Sequence, residues 1–145
     1  MKALYLTVGF PYSGKSTWSR KQNVPIVNPD SIRLSLHGRR YAQEAEDLVW
    51  AIAMGMVRSL FFDGHERVIV DACHNTRKRR DFWVSKKWDI YYKVFDTKVE
   101  VCKARALSND DDDIIPVIDR MAVQHENLWK PSETVRELLG EDIAK

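Results

Sequence analysis

The stretch Gly9-Phe10-Pro11-Tyr12-Ser13-Gly14-Lys15-Ser16-Thr17 carries the most specific chemistry in the chain. Its pattern is G-x-x-x-x-G-K-[ST], the phosphate-binding P-loop. The glycines let the backbone fold back so that several N–H groups converge on one point, and a helix starting there adds the positive end of its dipole. Lys15 can reach the β- and γ-phosphates of a nucleotide, and the Ser16 hydroxyl can ligate Mg²⁺. ATP, or another nucleoside triphosphate, with Mg²⁺ is therefore the expected cofactor pair. Gly9, Pro11, Tyr12, Ser13, Gly14, Lys15, Ser16 and Thr17 form the expected phosphate cradle.

Two further acids stand where such a site needs them. Asp30 follows the short apolar run Val24–Val27, and strand ends beside a P-loop face the ligand crevice. A kinase needs a carboxylate there to accept the proton of the attacking hydroxyl; otherwise Asp30 is a helix-start acid facing the dipole. Asp71 ends the β-branched run Arg67-Val68-Ile69-Val70. It can hold Mg²⁺ with Ser16, orient a neighbour, or cap the following loop.

The elements that must position these residues alternate. Ala3–Val8 reads as a buried strand, followed by the P-loop and a helix starting near Trp18. Val24–Asn28 is a second short strand, Pro29 opens a short helix, and Gly38 breaks it. Tyr41–Phe62 is the longest helical stretch, with Ala45, Leu48, Val49, Ile52, Met56, Leu60 and Phe61 spaced as its buried face. Met54 and Met56 are read as packing. Arg67–Asp71 is the third strand. Thr76, a good N-cap, starts a basic helix to Trp88. Asp89–Asp96 is the fourth strand and Thr97–Leu107 a helix. Ser108–Asp113 is acidic and expected to be poorly structured. Ile114–Trp129 is helical after Pro116, and a linker at Lys130–Glu133 leads to a last helix at Thr134–Leu139. The order predicts an α/β fold, with a parallel sheet of four to five strands sandwiched by helices.

At 145 residues the chain is expected to form one domain, with a lid at about 105–116 and a helical extension at about 131–145. The net charge of +2 excludes a global field for nucleic acid, so a basic site must come from local clustering. Cys73 and Cys102 match no metal spacing and read as free thiols. No run approaches a membrane span, so a soluble cytoplasmic protein without membrane partners is expected. His37, His65, His74 and His125 show no metal spacing.

With these residues in hand, the chain resembles the P-loop kinase domain of phage-type polynucleotide 5′-kinases. The resemblance spans roughly residues 1–128. It rests on Gly9-x-Pro11-x-Ser13-Gly14-Lys15-Ser16-Thr17-Trp18-x-Arg20, Asn28-x-Asp30-x-x-Arg33, Val68–Asp71, Asn75-x-x-x-Arg79-Arg80-x-x-Trp83, Lys93–Asp96 and Ile118-x-Arg120-Met121. It implies a P-loop NTPase/kinase fold and transfer of the γ-phosphate of ATP to a nucleic-acid 5′-hydroxyl, in repair. It would place the protein in the host cytoplasm if it is phage-encoded. Asp30 would be the general base and Arg33 would hold a phosphate of the acceptor strand.

Arg77, Lys78, Arg79, Arg80, Lys86 and Lys87, interleaved with Phe82, Trp83 and Trp88, suit a single-stranded backbone and stacked bases. Arg79 and Arg80, with Asp71 and His74, are the candidate acceptor contacts; Arg39, Arg40 and Tyr41 could form another wall. The chain departs from the family at the lid. Arg105 matches a charge-stabilising arginine that would also contact the nucleotide, but the second falls near Asn109, where the segment turns acidic. Either Arg105, or Arg120 from the next helix, supplies that charge alone, or catalysis is weak; as a third option, Asp110–Asp113 could bind a metal or a basic partner. Two other readings stay open: a P-loop kinase of a small molecule such as a nucleoside, sugar or antibiotic, and a nucleotide-binding module without transfer. The acceptor and the oligomeric state are left open.

Overall fold

A computed structural model describes residues 1–39 and 45–125. Four parallel strands, β1 (Ala3–Val8), β2 (Ile26–Val27), β3 (Arg67–Val70) and β4 (Asp89–Val94), form one sheet in the order β2-β3-β1-β4. The helices are α1 (Lys15–Lys21), α2 (Pro29–His37), α3 (Glu46–Phe62), α4 (Arg77–Asp81), α5 (Val99–Ser108) and α6 (Ile115–Gln124). The α/β architecture is the one that alternating strands and helices imply. β1 is central because it is apolar on both faces: Leu4 and Leu6 face one core and Tyr5 the other.

The register brings the functional loops together. Leu6 pairs with Val70, Val27 with Val70, and Val8 with Val94. The chain leaving β1, β2 and β3 at their carboxyl ends therefore enters the P-loop, the start of α2 and the loop after Asp71 along one edge, where parallel sheets hold their ligands.

One face of the sheet packs on α3 through Val49, Trp50, Ala53, Val57 and Phe61, together with Trp83 and Trp88. The other face packs on Trp18 of α1, with Tyr5, Ile69 and Tyr91. A separate cluster of Cys102, Ala106, Ile114 and Ile118 holds α5 to α6 and takes in Phe10 and Tyr12 of the P-loop.

Several expectations are corrected. The buried face of α3 is rotated: Leu48 and Met56 are 50% and 40% exposed, while Trp50 is buried. Helix α1 starts at Lys15, ahead of Trp18. The basic helix ends at Asp81, with the Thr76 hydroxyl accepting from the Arg79 amide as its cap. Trp83 and Trp88 would lie about 140° apart around a continued helix. Turning the chain lets both be buried, and the Trp88 Nε1–H donates to the Trp83 carbonyl at 2.8 Å. The acidic segment is ordered by a 3-10 turn, Asp112–Ile114, because Ile114 is an apolar anchor with only 1% exposure. The expected helix residues 41–44 and 126–129, the extension at 131–145, and Arg40 and Tyr41 lie outside the described residues. Cys73 and Cys102 are free thiols.

Candidate active site

The P-loop closes tightly over the end of β1. A Cβ on Gly9 would meet Ser13 Oγ at 2.6 Å and the Phe95 side chain at 3.0 Å, so only glycine fits there. Gly14 has φ 105°, which a side chain rarely tolerates, and it caps α1. The loop is braced from outside: the Gly9 amide donates to the Cys73 carbonyl, and the Thr97 hydroxyl donates to the Ser13 carbonyl. Lys15 Nζ donates to the Phe10 carbonyl at 2.7 Å. Among the described residues, Ser13 Oγ is buried without a hydrogen-bond partner, which leaves a polar atom at the loop that would cradle phosphate.

Ser16, in the first turn of α1, donates to Asp71 Oδ2 at 2.7 Å. Asp71 is nearly buried at 5% exposure. Burial pushes its carboxyl above the usual range, against the opposing Ser16 hydrogen bond and Lys15 charge. Among the described residues, no group of three His, Cys, Asp or Glu side chains could hold a metal unaided. Mg²⁺ needs no such cage, because it keeps several waters and takes one or two protein oxygens plus phosphates. The Ser16 and Asp71 oxygens, together beneath the phosphate loop, fit that requirement.

Across the cleft, Asn28 caps α2 by accepting from the Asp30 amide at 2.8 Å. Asp30 thus sits in the first turn with its side chain 53% exposed. Arg33 Nη1 donates to Asp30 Oδ1 at 2.7 Å. Its Nε and Nη2 also grip both oxygens of Glu46 at 2.9 and 2.7 Å. Three of the five N–H donors of a guanidinium are thereby used on carboxylates. Partial burial raises the Glu46 carboxyl, but the Arg33 bonds outweigh it and the net shift is downward. The Arg79 guanidinium lies 4.5 Å from the Trp50 ring centroid, and Arg33 lies 6.0 Å from it.

Arg80 and His74 are placed differently from the sequence expectation. Arg80 is fully buried, and its Nη1 donates to the His74 carbonyl at 3.1 Å. It supports the loop after β3 and, unlike Arg79, does not line the cleft. His74 is 2% exposed. Its Nδ1 lies 2.6 Å from the Thr7 carbonyl, and Trp83 Nε1–H donates to its Nε2 at 3.1 Å. These contacts set the neutral tautomer with the proton on Nδ1. Burial lowers its pKa from 6.5 to about 4. Both ring nitrogens are engaged by the protein, and the residue lines the inner wall of the cleft beside Cys73 and Asn75.

From α5, Arg105 Nη1 donates to the Tyr12 carbonyl at 2.9 Å. Both Lys15 and Arg105 therefore rest on carbonyls of the P-loop itself. Asn109 caps α5 by donating to the Arg105 carbonyl at 2.8 Å. Arg120 lines the same cleft from α6. Arg39 is exposed and does not line this cleft.

These side chains surround one open cleft of about 1320 Å³. It brings together Lys15, Ser16, Asp30, Arg33, Asp71, Arg79, Arg105 and Arg120. Glu46 and Trp50 also line it and were not singled out in the sequence. Glu46 had a weak signal as an acid in the first turn of a helix; Trp50 was hidden by the misplaced helix face. The arrangement can bind a polyphosphate with a hard cation at one end and present a carboxylate to a hydroxyl at the other.

A family model described as an AAA domain matches residues 4–114. Among solved structures, a chain of the Pnkp1/Rnl/Hen1 complex is 31% identical, with a TM-score of 0.64. The match covers 72% of this chain and 38% of that one, so this chain spans well under half of that relative. A gluconokinase from Sinorhizobium meliloti 1021 is 15% identical with a TM-score of 0.60, covering 99% of this chain and 83% of that one. A sugar kinase from Janibacter sp. HTCC2649 is 16% identical with a TM-score of 0.63, covering 95% and 85%. These two share the fold.

Proposed function

Because the chain belongs to the AAA-domain family, with a P-loop kinase fold, we propose that it is an ATP-dependent kinase of nucleic-acid 5′-hydroxyl ends. The observation that carries this reading is the pairing of two features in one cleft: Ser16–Asp71 under the P-loop, and Asp30 held by Arg33 opposite. A polynucleotide acceptor is supported by Arg79 stacked on Trp50 at the acceptor wall, and by the 31% likeness to a chain of the Pnkp1/Rnl/Hen1 complex. Partial burial pushes the Arg79 pKa down without removing its charge at neutral pH.

When bound, Mg²⁺–ATP would supply the phosphoryl group and screen its charge. Lys15 and the loop amides would bind the phosphates, and Ser16 and Asp71 would hold the cation. An Asp30 carboxylate oxygen accepts the proton of the acceptor hydroxyl as it attacks. Arg33, clamped by Glu46, fixes that carboxylate and keeps two N–H donors for the acceptor, while Arg79 meets its backbone. Arg105 places positive charge over the phosphate loop, where charge spreads in the transition state.

The test is transfer of labelled γ-phosphate from ATP to a 5′-hydroxyl oligonucleotide, against gluconate, nucleosides and aminoglycosides as acceptors. Transfer to the oligonucleotide alone is the expected result. Transfer only to a small acceptor would assign a small-molecule kinase. ATP binding with no transfer to any acceptor would assign a nucleotide-binding module.

A further inference from the structure

Tyr12 occupies a variable position of the P-loop pattern and joins the loop to the lid at three points. Its hydroxyl donates to Asp111 Oδ2 at 2.7 Å. Its carbonyl accepts from Arg105 Nη1 at 2.9 Å. Its ring packs against the cluster of Cys102, Ala106, Ile114 and Ile118. The backbone at Tyr12 has φ 66°, a left-handed conformation that costs a non-glycine residue about 1–3 kcal/mol. From that conformation the side chain reaches Asp111 and the cluster between α5 and α6.

The turn between Arg105 and Asp111 is fixed in its own right. The Asp111 amide donates to the Ala106 carbonyl at 3.0 Å, and the Asn109 side chain donates to the Arg105 carbonyl at 2.8 Å. Tyr12, Arg105, the turn and Asp111 therefore form a closed circuit. An exposed arginine has considerable rotamer freedom, and a charge that must meet a transition state works best when it is already in place.

We propose that Tyr12 is a positioning residue that, through Asp111, holds Arg105 over the phosphate loop. One member of the acidic run that stands in place of a second lid arginine thus secures the arginine that is present. This inference rests on the kinase reading for its effect on turnover, and on geometry alone for the contact.

The experiment uses the full chain and three variants: Tyr12→Phe, Asp111→Ala, which leaves no acceptor for the Tyr12 hydroxyl, and the double variant. Two properties are read: kcat and KM for ATP with a 5′-hydroxyl oligonucleotide, and backbone hydrogen exchange of residues 105–118 in nucleotide-free protein. Each single variant is expected to lower kcat about tenfold with KM for ATP changed less than about threefold. The double variant should be no worse than either single one, because the two residues act as a unit. Exchange of 105–118 should rise in all three. Unchanged exchange, or independent multiplying losses in the double variant, would overturn the proposal, as would a rise in KM at constant kcat. If the unaltered protein transfers phosphate to no acceptor, the kinase reading fails by itself and the exchange measurement still decides the contact.

Discussion

The Ser16 hydroxyl donates to Asp71 Oδ2 at 2.7 Å, joining the start of α1 to the end of β3 across 55 residues. The two oxygens that a phosphate-bound cation would use are thus already in contact. Asp71→Asn keeps an acceptor for Ser16 and so should keep the fold. It should raise the Mg²⁺ concentration for half-maximal turnover by about tenfold or more. ATP binding measured without Mg²⁺ should barely change. An unaltered Mg²⁺ dependence would leave Asp71 as a loop brace only.

Asp30→Asn keeps the shape of its wall of the cleft and removes the proposed base. Transfer should fall by about 10²–10⁴-fold, while ATP binding, measured by calorimetry, survives. Glu46→Gln acts one step further out, because it loosens the bidentate grip on Arg33 that steadies Asp30. It should cost about tenfold in kcat. Equal loss of ATP affinity in Asp30→Asn would move that residue from the acceptor to the metal or the fold.

His74 gives the protein an acid sensitivity of known sign. Its pKa is lowered from 6.5 to about 4 in the folded chain, whereas the unfolded chain takes up the proton near the ordinary value. The unfolded state therefore binds more protons between those limits. Stability is fully present above about pH 6.5 and falls as the pH drops toward 4, by about 3 kcal/mol in all. Urea unfolding of the unaltered protein and of His74→Gln at several pH values checks this. The variant should be less stable at pH 7.5, since it disturbs the Thr7 and Trp83 contacts, but its stability should vary less across that window. Parallel pH profiles would assign the acid sensitivity to other groups.

The P-loop, the strand-end acid Asp71 and the parallel sheet were legible because each depends on local pattern: glycines at fixed offsets, β-branched runs, an acid directly after a strand. Other features depended on packing between distant segments. Trp50 was lost because α3 is apolar nearly all round: Leu48 and Met56 obey the same spacing as Val49 and Val57 yet are exposed. Glu46 grips Arg33, which lies on another helix, so no spacing along the chain reveals the pair. The acidic turn read as disordered because its anchors are a P-loop tyrosine and a single buried isoleucine.

The neighbours Arg79 and Arg80 show the same limit in one dipeptide, and they furnish a direct test of the acceptor wall. Sequence treats them alike, but successive residues of a helix point about 100° apart. Arg79 opens onto the cleft over Trp50, while Arg80 is fully buried beneath the loop that carries His74. Arg79→Gln should leave thermal stability nearly unchanged and weaken binding of a 5′-hydroxyl oligonucleotide. Its salt dependence should become shallower by about one phosphate contact, because one less counterion-releasing cation is present. ATP affinity should be unaffected. Arg80→Gln should do the reverse: it withdraws a buried donor from the His74 carbonyl and should cost about 1–3 kcal/mol of stability, while the oligonucleotide salt slope stays as it was. Titrations at several salt concentrations, paired with thermal melts of both variants, separate the two effects. A stable Arg80→Gln protein with a shallower salt slope would put Arg80, not Arg79, on the acceptor.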